Sequence, residues 1–400
     1  MTNILIAIVL LLLAGAAVLW LKKPAASPPQ RPQPATPAKL TTTAGAARVA
    51  GPAAPAARPG HSCVPAPAAA HPALAMATPR PAALLAELPA ALAQFKLVRH
   101  ETLAAPAIAS LSLRLDQIPR PPLSLQKLLS PVFLESASSG ELSDLIMAEA
   151  QIAAKVLATV NSPLYGLKRP VASVGQAVTF LGLNTVRAIC LRYMLDDSFK
   201  TTSPDRRKRF DAVLRASSLS SELCGKLAQK LELPEQGVLV TQGVLSFLGQ
   251  LAMTALLPTT GPAWGPHTDL LTRTQAEQAA LGLGAAEVGA LLMQSWGLPG
   301  SIVDNVRDID SLLVRPADTQ DPRRGSRLAL CYLCARLGER LAQGQLADLA
   351  AFDLAGDTSV DMLHLHGYLA TPALTRLPEL LQSAAMLLAV QQQLGGTGRP

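Results

Sequence analysis

Residues 160–183 read "VNSPLYGLKRPVASVGQAVTFLGL", and this stretch decides the fold class. A helical apolar pattern arrives from upstream and stops here, because Pro163 crowds the backbone of Ser162 out of helical geometry. Gly166 permits a tight turn behind Tyr165. Ser173 followed by Gln176 is the signature of a capping box ahead of "AVTFLG". Gly182 suits the residue just past a helix end, and Asn184 is placed to cap the next helix. In that helix Val186, Ile189, Cys190, Tyr193 and Met194 recur at i, i+3, i+4, i+7 and i+8, one apolar face. Punctuation this dense predicts two helix junctions with fixed angles.

The same period extends in both directions. Upstream, Leu142, Leu145, Ile146, Ile152, Val156 and Val160 form one helical face, with a bend expected near Glu149. Downstream, Ser203-Pro204 opens a helix expected to run to about Leu231. Its first turns carry "RRKR" at 206–209, flanked by Asp205 and Asp211, which reads as a solvated face. Residues 237–257 are apolar on every side, as a buried helix is. A helix from Ala285 stops at Gly297, Pro299 opens the next, and 326–343 and 376–393 are also helical. No alternating strand pattern appears. The expected fold class is all-α, a multi-helix bundle.

Charge separates the ends of the chain. Residues 1–86 hold seven Lys or Arg and no acid, whereas 87–400 hold 28 of each sign. The net charge of +7 therefore lies wholly in the N-terminal part. The globular part lacks the positive surface that phosphate contacts with nucleic acid need, so no nucleic-acid partner is expected. Ile4 to Leu21 is an uncharged run of eighteen residues, nearly enough to cross a hydrocarbon layer. Trp20 stands at its end and Lys22 and Lys23 follow it, the order expected of a membrane anchor rather than a signal peptide. Residues 1–23 are thus read as a single transmembrane helix with its N-terminus outside. Residues 24–81 hold fourteen of the 33 prolines and no acid, a disordered linker. Residues 82–116 are a helical lead-in with weak patterning, and 394–400 a disordered tail.

At this point the order of the pieces resembles the HDOD domain, a bacterial signalling module related to HD-type metal-dependent phosphohydrolases. Asn161, Ser162, Tyr165, Gly166, Gln176, Ala177, Leu181 and Gly182 carry the resemblance, which covers roughly residues 117–310. Residues 311–393 then complete or extend the bundle. The resemblance implies bacterial signal transduction, and with the anchor and Lys22 and Lys23 the expected place is the bacterial inner membrane with the soluble domain in the cytoplasm. It also implies where catalytic relatives would hold their metal. Ala216 stands at the first His position, Ser246 and Phe247 at the His-Asp pair, Ala285 at the next His, and Ile309 and Asp310 at a His-His pair. Activating water with a divalent metal requires several ligands converging on one point. Ala, Phe and Ile have no donor atoms. No His occurs between His100 and His267, or between His267 and His364, so a slip in register cannot restore the set.

Other constellations carry little chemistry. Cys331 and Cys334 form a lone CxxC at core-facing helical spacing. His364 and His366 diverge on a helix and lack a third ligand. "LGLG" at 281–284 has no strand before it, and no nucleophile elbow is present. No cofactor is expected. The reading is a non-catalytic, membrane-tethered signalling or scaffold protein that binds a protein or small-ligand partner. Asn161, Ser162, Tyr165 and Arg187 are the candidate binding residues. A divergent HD-type phosphohydrolase or phosphodiesterase is the alternative.

Overall fold

The computed structural model describes residues 89–258, 260 and 268–395. The expected anchor at 1–23, the linker at 24–81, the start of the lead-in and residues 396–400 lie outside the described residues. Within them the chain is helical and contains no strand.

Short helices come first: α1 (Ala90–Ala93), α2 (Ala105–Leu115), α3 (Leu123–Leu128), α4 (Pro131–Ser136) and α5 (Ser139–Met147). Ser138 and Glu141 form a full capping box on α5. The expected single bent helix is in fact two. Glu149 leaves helical geometry at φ −112°, ψ 84°, and α6 (Ala150–Val160) starts afresh behind it.

The Asn161–Gly182 joint follows the sequence reading in most details. Pro163–Tyr165 form one 3-10 turn, and Gly166 closes it at φ +57°, a left-handed value. Ser173 Oγ accepts from Gln176 N to cap α7 (Val174–Leu181). Asn184 does not cap α8 (Leu183–Ser198). Gly182, at φ +82°, occupies the position between the two helices, and Asn184 Oδ1 instead accepts from Arg187 Nη1 at 3.2 Å.

The longest helix, α9 (Pro204–Lys230), starts at Ser203 as expected and spans about 40 Å at 1.5 Å per residue. The apolar run after it is not one helix but two, α10 (Gln236–Leu245) and α11 (Leu248–Leu256), broken at Ser246–Phe247. Together they are long and apolar enough to cross a membrane, yet 89% of the apolar window is buried, so the segment serves as core. Helices α12 (Leu270–Leu281), α13 (Ala285–Ser295) and α14 (Gly300–Ile309) follow, with Gly297 and Pro299 at the expected joint. Next comes α15 (Pro322–Ala342). The C-terminal pattern divides into α16 (Leu365–Leu369), α17 (Leu377–Leu381) and α18 (Ala384–Gly395), and α18 runs into the segment expected as tail.

Two apolar cores form. One gathers α2 to α8 with α11, α13 and α14; the other gathers the C-terminal half of α9 with α15 to α18. Helix α9 serves both. Helix α15 lies along it so closely that a Cβ on Gly338 would come within 2.6 Å of Ala216 O. The C-terminal helices therefore pack as part of the same bundle.

Candidate functional site

Two of the positions at which the family resemblance would place metal ligands meet in a packed interior. Ala216 of α9, Phe247 at the break before α11 and Ala335 of α15 form one small apolar cluster, all nearly fully buried. Phe247 fills with ring carbon the volume a hydrated cation would need. Ser246 turns its hydroxyl to Gly243 O at 3.2 Å. The Ala285 N–H donates to Glu277 Oε2 at 2.8 Å.

Charge beside this cluster is held by an arginine–carboxylate network. Arg273 Nη1 of α12 donates to Glu339 Oε1 of α15 at 2.8 Å, and Gln250 Nε2 of α11 donates to the same oxygen. Arg336 Nη1 lies 2.9 Å from Glu339 Oε2, and Arg336 Nη2 lies 3.6 Å from Asp310 Oδ1. Arg273 Nε lies 3.8 Å from Glu277 Oε1. Burial pushes Glu277 up to about 7, against the attraction of Arg273 and the Ala285 hydrogen bond. Burial likewise raises Asp310, although Arg336 and Arg273 pull it down. For Glu339 burial acts upward too, but the two guanidiniums outweigh it and hold the carboxyl below its usual value. Asp310, the one carboxylate left at the expected ligand positions, is thus paired with a guanidinium.

The lead-in covers this region. Val98 N donates to Gln278 Oε1 at 2.9 Å, and Arg99 donates to Glu287 at 2.8 Å and to Asp308 at 3.0 Å. Beneath it lies a cavity of about 20 Å³ lined by Val98, Thr274, Ala285 and Asp310 among others, about the space of one water. His100, Glu101 and Glu287 bring one donor atom each to within 4.8 Å of one another, and among the described residues no other such trio of His, Cys, Asp or Glu forms. The trio does not fit a dication. Glu287 is already bound by Arg99 and by His100 Nδ1 at 2.8 Å, while Arg307 stands 3.6 Å from Glu101 and 4.0 Å from Glu287. Two fixed guanidiniums would repel the ion from its own ligands.

Among the described residues, the other histidines and cysteines are buried. His366 Nε2 meets Asp357 O at 2.8 Å, and His364 is buried. Cys331 and Cys334 are buried in α15. A hydrogen bond with Cys224, together with burial, holds the Cys331 thiol well above its usual value.

The joint faces an open groove of about 540 Å³ between α6, α8, α9 and α18. Ser162 and Tyr165 line it, with Tyr193 and Arg192 of α8 and Arg215 and Glu222 of α9. Asn161 shapes the groove and does not line it. Its amide donates to Val171 O at 2.9 Å and accepts from Val171 N at 2.7 Å, closing the loop between them. Arg187 is fully buried, donating to Phe133 O at 3.3 Å. It is a core residue. Tyr165 hydrogen-bonds with Gln393 of α18, and burial raises its phenol to about 12. The Thr159 and Tyr193 hydroxyls, 2.6 Å apart, tie α6 to α8.

Comparison with known proteins agrees with this architecture. The HDOD domain family model matches residues 118–311. A solved structure from Shewanella amazonensis SB2B, named as a predicted phosphohydrolase, is 20% identical with a TM-score of 0.50, covering 72% of this chain and 98% of that one. An HDOD domain protein of unknown function from Geobacter sulfurreducens is 17% identical, TM-score 0.49, covering 72% of this chain and 99% of the other. At these identities the likeness speaks to fold alone. An uncharacterised protein of Treponema pallidum (strain Nichols) is 22% identical over 208 residues, 50% of this chain and only 39% of that protein's length.

Proposed function

We propose, from the premise that residues 118–311 of this chain are an HDOD domain, that the protein is a non-catalytic, membrane-tethered signalling or scaffold protein. One observation carries the reading. Ala216 and Phe247, two of the expected ligand positions, pack with Ala335 in an apolar cluster, and the charges beside it are guanidiniums and carboxylates paired with one another. A hydrolytic metal needs converging donors, an open coordination position and room for substrate. Nothing of that kind is compatible with a buried phenyl ring at the centre. The open groove beside Tyr165 supports binding of a partner or small ligand instead.

The tether rests on sequence: the apolar run from Ile4 to Leu21, then Lys22 and Lys23. Alkaline extraction of bacterial membranes tests it. Full-length chain should stay with the lipid, and its release into the soluble fraction would remove the anchor from the proposal.

A divergent HD-type phosphohydrolase or phosphodiesterase is the second reading; it would need a metal on the His100, Glu101 and Glu287 trio, which Arg99 and Arg307 oppose. Metal analysis of the purified full-length chain, paired with hydrolysis of a generic phosphodiester, separates the two. Substoichiometric manganese, iron and magnesium without turnover is the expected result. Stoichiometric metal that supports turnover would overturn the non-catalytic reading.

A further inference from the structure

The groove beside Tyr165 carries charge that the domain leaves unanswered. Both of its acids are engaged: Asp211 pairs with Arg207 at 2.7 Å, and Glu222 with Lys226 at 3.1 Å. Its two guanidiniums are not. Neither Arg192 nor Arg215 forms an ion pair with a carboxylate among the described residues, and Arg192 Nε is buried without a hydrogen-bond partner. Lys155 Nζ and the Arg192 guanidinium lie 5.2 and 5.5 Å from the centre of the Tyr193 ring, which adds positive charge at that wall. Arg192 is half-buried, and a half-desolvated guanidinium without an anion is costly, a cost that an arriving anion recovers; Arg215 is exposed and adds charge at the rim.

The rest of the lining narrows the ligand. Two forks from adjacent helices suit the several oxygens of a phosphate, which guanidinium geometry matches in pairs. Tyr165 and Tyr193 offer rings on which a planar group can stack. The Tyr165 phenol stays protonated at neutral pH and can donate. Hydroxyls of Thr159, Ser162 and Ser218 suit neutral polar substituents. A volume of about 540 Å³ fits a small molecule and not a polymer.

We infer that this groove binds a small ring-bearing organophosphate of the nucleotide class, its phosphate on Arg192 and Arg215 and its ring against Tyr165 and Tyr193. The inference rests on the binding role proposed above and gives it a ligand chemistry.

Calorimetric titration of the full-length chain in detergent micelles tests it, with AMP, GMP, adenosine and inorganic phosphate as probes. AMP or GMP should bind, and adenosine about a hundredfold more weakly, since two charge-assisted contacts are lost. The double variant Arg192→Gln, Arg215→Gln should lose about a hundredfold for the nucleotide while keeping the wild-type melting temperature. Tyr165→Ala should lose about tenfold, and Tyr165→Phe, which keeps the ring, much less. No binding of AMP or GMP by folded protein up to about 1 mM would overturn the inference. So would equal affinity for AMP and inorganic phosphate, or an unchanged affinity in the double variant. Chromatography of the recovered nucleotide keeps the two readings apart. Intact nucleotide supports both, whereas hydrolysed nucleotide strikes the non-catalytic reading and leaves the groove assignment to the variants.

Discussion

Glu339 Oε1 sits 2.8 Å from Arg273 Nη1, while its other oxygen sits 2.9 Å from Arg336 Nη1, so one carboxylate bridges guanidiniums from α12 and α15. The bridge lies beside Phe247 and Asp310, where the family resemblance would place a dication. Two guanidiniums supply positive charge there, and they explain how a carboxylate such as Asp310 stays buried.

Removing the bridging charge should therefore be expensive. Glu339→Gln leaves both guanidiniums buried with too few acids, a change that costs about 3–5 kcal/mol in comparable buried pairs. Urea unfolding of the variant against wild type measures it. A loss below about 1 kcal/mol, the value of an exposed pair, would show that the network is solvated and not structural.

Glu277 gives a pH dependence of defined sign. Burial raises its folded value to about 7 from an ordinary 4.5, so the folded state favours the protonated form. Its contribution to stability is complete below about 4.5 and is lost as pH rises through about 7. Glu277→Gln cannot ionise but still offers an acceptor to Ala285 N. Relative to wild type, its stability should rise by about 1–3 kcal/mol between pH 5 and pH 8. Asp310 and Asp361, both raised by burial, act in the same direction but are common to the two proteins. Glu339, held low, releases its contribution only on the acid side. A flat difference across that window would remove the proton from Glu277.

Restoring the sequence of a His-Asp pair should not restore a metal. In the variant Ser246→His, Phe247→Asp the new Asp would face Arg336 and Arg273, which are placed to take its charge before any ion does. Loss of the Phe247 ring should also cost about 3–5 kcal/mol in packing. The expected protein is destabilised and binds no stoichiometric manganese by elemental analysis. Stoichiometric uptake by that pair alone would mean that the guanidiniums move aside.

What could be read in advance was what local physics decides. Caps, the Pro163 stop, the Gly166 turn and the apolar stripe of α8 depend on neighbours within four residues, and these emerged as expected. Asn184 failed because Gly182 already supplied the left-handed residue the junction needs, which freed the Asn184 amide for Arg187. The breaks at Glu149 and Ser246–Phe247 failed because the flanking apolar periodicity runs across both without a Pro to announce them. Arg187 reads in the sequence as a candidate binding residue, and only packing against Phe133 places it inside. The buried network is likewise a product of three helices distant in sequence. Its one local sign was charged pairs at i+4 and i+3, Arg273 with Glu277 and Arg336 with Glu339.

The lead-in offers the most direct handle on access to this interior. Residues 97–100 cross above Ala285 and Asp310, held chiefly by Arg99, whose guanidinium reaches both Glu287 and Asp308. Arg324 also binds Asp308, at 2.6 Å, and Arg307 stands beside Glu287, so neither carboxylate is stranded when Arg99 is removed. Arg99→Ala should thus cost little global stability, about 1 kcal/mol, because its side chain is partly exposed. Locally the effect should be larger. With Arg99 gone, the strap loses its two strongest ion pairs and keeps the Gln278 hydrogen bonds to Val98 N and Lys96 O, the His100 contacts with Glu287 and the Glu101–Arg307 pair, and it should open more often. Limited trypsin digestion should then cut after Lys96 several times faster than in wild type, with the melting temperature nearly unchanged. Equal cleavage rates would mean that the strap is held by apolar contacts and that Arg99 serves only to neutralise Glu287 and Asp308.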